Sequence, residues 1–203
     1  MKWDADARNR QVLEKEERLP FLGEDDLDER HHAAMDALRV LYGYPEGTPL
    51  APFFAILAHS PEFFAGYIDL GVATSVRSAL PGRVRELAIL RTGWLQGAPY
   101  MWGEHVKAAR DLGFSEDEVD RVTRGSADPA WGELDRAVLR AAEELHEDSM
   151  VSDGTWDALA GHLDHRQLLE LPILIGHYVM TAYLQNSVRN RLTHRNPHGL
   201  RAR

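Results

Sequence analysis

Apolar positions recur at three- and four-residue steps along most of the chain, and the steps stop at glycine, proline and short polar residues. Leu27, His31, Ala34, Leu38 and Leu41 predict a helix from Asp25 toward Tyr44, ended by Gly43. Tyr44 to Pro52, rich in proline and glycine, reads as a loop. Ser60-Pro61 is a helix start, with serine as N-cap and proline at the first helical position. Phe63, Phe64, Tyr67, Leu70, Gly71 and Thr74 then form a broad apolar face that Pro81-Gly82 ends. From Arg83 to Leu112 the pattern predicts two helices joined across Gly97-Ala98-Pro99. Ser115 to Glu118 has the form of a capping box, opening a short helix that Gly125 closes. Asp128-Pro129 reads as the next start, with a stripe of Leu134, Val138, Ala141 and Leu145 running to His146. Ser152-Asp153 caps a helix bearing Trp156, Leu159 and Leu163. Asp164 to Gln167 fits a second capping box, before a last long helix from Leu168 to about Arg191, with Pro172 a kink and Gly176 a point of close packing.

No segment alternates with period two, and no hairpin dipeptide separates apolar runs. The expectation is an all-α single-domain helical bundle of about eight helices. It assigns residues 1–25 to a charged arm, 26–191 to the helical domain and 192–203 to a basic tail. The arm's one sticky patch, Leu19-Pro20-Phe21-Leu22, suits docking onto its own body or a neighbouring subunit. The tail reads as solvated or as a subunit contact.

Composition narrows the function. Hydrophobic residues at 44% and charged residues at 27% are values of a folded domain. A net charge of −9 argues against nucleic acid as the main partner, because phosphate binding needs a basic stripe. The chain has no cysteine, so disulfides and thiolate chemistry are closed to it. The first residues lack the apolar core of a signal peptide, and no apolar run approaches the ~20 residues of a membrane span. The expected setting is the cytoplasm, away from the membrane.

The chemistry-bearing residues concentrate in RVRELAILRTGWLQGAPYMWGEHVKAARDL, residues 83–112. Ala98, Met101, Trp102, His105, Ala109 and Leu112 share a helix face that is apolar except for His105. A lone histidine on such a face is more often a satisfied core residue than a catalyst, and it needs a partner. Glu86 on the preceding helix is the candidate. Burial favours its neutral form, whereas an adjacent imidazole favours the ionised pair. The competing reading pairs Glu86 with Arg83 or Arg85 at the surface. His146, ending a helix, suits an electrostatic role there. His177 and Tyr178 lie in an apolar run and are second candidates for a pocket wall, as is Asn186. No His-x-x-x-His or His-x-x-x-Glu pair is convincingly placed, and no nucleophile elbow, phosphate loop or dinucleotide fingerprint is present, so neither a metal nor an organic cofactor is expected.

The run RELAILRTGWLQGAPYMWGEHVKAARDLGFSEDEVDRV resembles the carboxymuconolactone decarboxylase and alkylhydroperoxidase D-like family. LRAAEELHED, VSDGTWDALAGHLDHRQLLEL and GHYVMTAYLQNSV are similar to its later helices, extending the likeness over about residues 30–190. The peroxidase branch carries a Glu, eleven residues, Cys-x-x-Cys, three residues and a His. Glu86 and His105 match its ends, while Ala98 and Met101 stand at the thiol positions. The resemblance therefore implies a helical bundle of the alkylhydroperoxidase D-like type without thiol peroxidase activity. It implies a cofactor-independent lyase, decarboxylase or isomerase acting on a small carboxylated lactone or hydroxylated ring compound. His105 would be the acid, oriented by Glu86. Trp102, Tyr100, Met101 and Ala98 would shape the pocket, with His177 or Tyr178 on polar substrate groups and Arg85 or Arg91 on a carboxylate. It also implies a homo-oligomer, between dimer and hexamer. A peroxidase-lineage protein that has lost its thiols, and a non-enzymatic small-ligand binder, stay open as alternatives.

Overall fold

The structure, a computed structural model, describes residues 3–42, 50–193 and 198–202. Its helices are α1 (Ala5–Leu13), α2 (Glu29–Tyr42), α3 (Pro52–Leu57), α4 (Pro61–Thr74), α5 (Gly82–Leu95), α6 (Pro99–Asp111), α7 (Glu116–Arg124), α8 (Glu133–Asp148), α9 (Asp153–Ala160) and α10 (His165–Val188). Single 3-10 turns lie at Glu24–Asp26 and Gly199–Arg201, and no strand occurs among the described residues. The protein is all-α. Most of the loop expected from Tyr44 to Pro52 lies outside the described residues, as do residues 194–197 of the tail.

Helix α5 is the axis. Every residue from Glu86 to Trp94 is buried, because the helix packs against α6, α8 and α10 and is covered on all sides. Its large apolar side chains, Leu87, Leu90 and Ile89, join Trp102, Val106, Val138 and Leu174 in the main core. Gly93 sets the approach of α6: a Cβ there would stand 3.2 Å from Met101 Sδ. The joint between the two helices turns at Gly97, whose φ of +55° favours glycine. A second, smaller core gathers Met35, Phe64, Ile68 and Val72 from α2 and α4 under Ala58. There His31 is a structural residue, with Nε2 2.8 Å from the Ala58 carbonyl and Nδ1 accepting from the Asp28 N–H.

Both capping boxes form as the sequence predicts, Ser115 with Glu118 and Asp164 with Gln167. Asp128-Pro129 does not start a helix. Asp128 closes a turn instead, accepting from Ala130 N–H and pairing with Arg124, and α8 begins at Glu133. Gly176 faces open space, not a close neighbour.

The ends of the chain are folded in. Asp4 caps α1 by accepting from Ala7 N–H, and Trp3 packs edge-on against Trp94 with centroids 5.1 Å apart. The patch at Leu19–Leu22 docks on the chain itself: Leu22 N–H donates to the Ala55 carbonyl, and Phe21 lies under the Arg191 guanidinium. The tail corrects the solvated reading. Leu200 is 0% exposed and its N–H donates to Asn9 of α1. The charge-rich composition hid these contacts, because one or two buried residues per segment suffice to dock it. No helix among the described residues is long and apolar enough to cross a membrane. Helix α10 leaves Leu169, Ile173, Met180 and Tyr183 exposed along one stripe.

Candidate functional site

Glu86 is two turns before Gly93 on α5, and His105 is two turns into α6. Because α5 and α6 touch closely across Gly93 and Met101, these two side chains meet near the seam. Glu86 Oε2 lies 2.7 Å from His105 Nδ1. The carboxylate is 7% exposed and the imidazole 20%. The competing partners are engaged elsewhere. Arg83 bonds Asp135 and Glu118, each at 2.6 Å, and Arg85 donates to the Leu80 carbonyl at 3.4 Å.

Helix α10 supplies the next wall. Tyr178 stands edge-on to the His105 ring with centroids 5.0 Å apart, and His177 is 5.2 Å from Tyr178. Tyr67 of α4 lies 4.8 Å from His177, Phe53 of α3 5.2 Å from Tyr67, and Tyr100 6.5 Å from Phe53. A continuous run of rings thus extends from His105 to Tyr100. Thr181 braces it, its hydroxyl 2.6 Å from Tyr67 Oη and donating to the His177 carbonyl. Phe53, Tyr67 and Thr181 were not among the sequence candidates. Tyr67 was visible only as part of an apolar face, and α3 is too short for its period to be read.

His177 is held neutral. Burial, and then the charge on nearby His105, push its pKa down to about 4. Its Nδ1 is buried with no hydrogen-bond partner among the described residues.

Other sequence candidates fall outside this arrangement. Trp102 is 0% exposed, donates its indole N–H to the Ala202 carbonyl at 3.0 Å and stacks near Trp94, so it holds the tail and does not shape a pocket. Arg91 is buried, with its Nε 2.9 Å from Glu143 and Nη1 donating to the Val122 and Thr123 carbonyls. Desolvation lowers its pKa, and a guanidinium so occupied is not available to a substrate. Ala98 and Met101 are buried in the α5–α6 seam. His146 binds Gln96, and Asn186 donates to the carbonyls of Gln96 and Gly97. Among the described residues no group of three or more His, Asp or Glu is arranged to hold a metal ion.

A histidine fixed through Nδ1 by a buried carboxylate has Nε2 left to address a ligand, and can take and return a proton there. Sequence comparison places this pair inside a recognised segment, since residues 61–144 match the carboxymuconolactone decarboxylase family. The match runs from the start of α4 into α8. The matched segment contains both Glu86 and His105. No curated protein matches the chain in sequence. Solved structures match in fold. An uncharacterised peroxidase-related protein of the alkylhydroperoxidase AhpD core type from Ralstonia eutropha superposes with a TM-score of 0.74 at 17% identity, covering 88% of this chain and 93% of its own. A peroxidase-related protein from Silicibacter sp. gives 0.72 at 13% identity, covering 91% and 94%. The debrominase Bmp8 in complex with 2,3,4-tribromopyrrole gives 0.71 at 12%, covering 89% and 95%.

Proposed function

We propose that this protein is a cofactor-independent lyase or isomerase that acts on a small carboxylated lactone or hydroxylated ring compound in the cytoplasm. The observation that carries the reading is the 2.7 Å contact between buried Glu86 and part-exposed His105. Glu86 orients the ring and stabilises the imidazolium, and Nε2 exchanges a proton with the substrate. In a decarboxylation, the bond to the carboxyl carbon breaks, carbon dioxide leaves, and the electron pair passes into the ring as a dienolate. His105 then protonates the carbon. Isomerisation uses the same two groups, with Nε2 removing a proton at one carbon and returning it at another. The aromatic run through Tyr178, Tyr67 and Phe53 supports a flat, small substrate. The brominated pyrrole held by the debrominase of like fold is in keeping with such a ligand. Arg85 is the remaining arginine for a substrate carboxylate.

A second reading rests on the peroxidase-related fold relatives. With no cysteine, the protein would need an external dithiol as the reductant. Peroxide consumption dependent on a dithiol favours it, and inertness removes it. Self-association fits the exposed stripe of α10, and a second copy covering that stripe is part of the proposal.

The test is a thermal-shift screen of lactone acids and hydroxylated ring acids, followed by turnover assays on the ligands found. A ligand at about 100 times its Kd adds ~2.7 kcal/mol of stability. His105→Gln and Glu86→Gln are expected to keep the wild-type helical spectrum and lose turnover. Full turnover in both variants sinks the mechanism. Ligand binding unchanged in His105→Ala, with no turnover in wild type, would assign a binding protein instead.

A further inference from the structure

Away from the Glu86–His105 pair, a cleft of about 200 Å³ opens between α1, the segment that follows it and the end of α10, lined by Arg8, Gln11, Val12, Lys15, Arg18, Asn186 and Arg189. Four cations converge on it in a chain of net charge −9. Arg8, Gln11 and Val12 share one face of α1, and Lys15 follows two residues past its end. Arg18 is brought in by its backbone, whose N–H donates to the Val188 carbonyl at 3.0 Å. Arg189 caps α10 in the left-handed conformation, with φ 57° and ψ 53°.

Cations at a helix C-terminus are ordinarily explained by its unpaired carbonyls. That explanation is weak for these four. The Gln185, Asn186 and Val188 carbonyls already accept backbone N–H groups from Arg189, Asn190 and Arg18. Nor are the cations answered by acids: among the described residues no carboxylate forms an ion pair with Arg8, Lys15, Arg18 or Arg189, whereas Arg83, Arg91, Arg124 and Arg166 each have one. A second observation concerns Arg8. Its Nη1 donates to Gln11 Oε1 at 2.9 Å, but its Nε is buried over the Gly97 turn with no hydrogen-bond partner. A buried guanidinium N–H without an acceptor is costly, and the charge of this same guanidinium, which lines the cleft, favours an anion seated there.

We propose that this cleft between α1 and the end of α10 is a binding site for a compact polyanion, a small molecule bearing two or more carboxylate or phosphate groups. Four positive groups exceed what a single carboxylate calls for, and the volume is below that of ordinary drug-sized pockets, roughly 300 Å³ and above. The site is separate from the acid–base pair and does not depend on the catalytic reading.

The test uses the full-length protein titrated calorimetrically with pyrophosphate and with citrate at constant ionic strength, sodium chloride serving as the matched control. Saturable binding of one anion per chain is expected, with a rise in Tm that chloride does not produce. Preference for pyrophosphate assigns a phosphate ligand, and preference for citrate a polycarboxylate. The Arg8→Gln/Arg189→Asn double variant should weaken binding at least about tenfold, whereas Arg77→Gln, an exposed arginine elsewhere, should not. Should the double variant fail to fold, Lys15→Gln and Arg18→Gln, both at exposed positions, serve in its place. Glu86→Gln should bind the probe as wild type does. Absence of saturable binding for both probes, or equal affinity in the cleft variants and Arg77→Gln, overturns the proposal.

Discussion

The molecule carries charge in two contrasting ways. Along α5, two charged side chains are buried and answered: Glu86 by His105 and Arg91 by Glu143. At the junction of α1 and α10, four cations gather at a cleft without a carboxylate partner among the described residues. Removing one partner from a buried pair leaves an uncompensated charge, which is expensive. Removing an exposed cation changes little in the fold, because water already solvates it. The paired region therefore couples chemistry to stability, while the basic cleft is free to be specialised for binding.

The largest expected effect is on catalysis. Glu86→Gln or His105→Gln should lower turnover by about 10²–10⁴-fold, with circular dichroism showing an intact fold. Next comes Arg91→Met, which strands Glu143 and the carbonyls of Val122 and Thr123. It should cost roughly 3–5 kcal/mol in urea unfolding. A smaller loss would mean that Glu143 finds enough support from the Ser126 N–H and hydroxyl, which also donate to it.

Acid should act through His177. Its folded-state pKa of about 4 lies below the ordinary 6.5, so the native state takes up its proton later than the unfolded chain does. Its contribution to stability is full above about pH 6.5 and is lost as the pH falls through that value toward 4, on the order of 3 kcal/mol. Unfolding curves at pH 7, 5.5 and 4 should be flatter in His177→Phe, which keeps a ring against Tyr67 and Tyr178 but cannot titrate. Equal slopes in the two proteins would remove His177 as the sensor.

Deleting residues 198–203 takes away fully buried Leu200 and the acceptor of the Trp102 indole N–H, and should cost about 2–3 kcal/mol, seen as a lower Tm. At the small end, Lys15→Gln should shift stability by no more than about 0.5 kcal/mol. A large loss there would show that the cleft is structural and would dissolve the contrast between the two regions.

Much of the fold could be read from local pattern. The capping boxes at Ser115 and Asp164, the Ser60-Pro61 start and the Gly97-Ala98-Pro99 joint all depend on residues within one turn of each other, so sequence neighbours suffice to specify them. Helix α3 and the docking of α1 were not legible. The first is too short to show a period, and the second rests on Trp3, Asn9 and Val12 in an otherwise charged segment. Asp128-Pro129 misled because the same side chain that caps a helix also closes an Asx turn.

The candidate site divides in the same way. The sequence by itself determined that thiol chemistry is closed, since no cysteine exists, and that His105 is the polar exception on an apolar helix face, with Glu86 its candidate partner. Tertiary structure alone decided their meeting at 2.7 Å, the ring wall contributed by α3, α4 and α10, and the withdrawal of Trp102 and Arg91 to other duties. Periodicity reports which face of a helix turns inward, but every inward residue shares that signal. Which of them reach a ligand and which brace the core depends on the helix packed opposite, and that partner is distant in the chain.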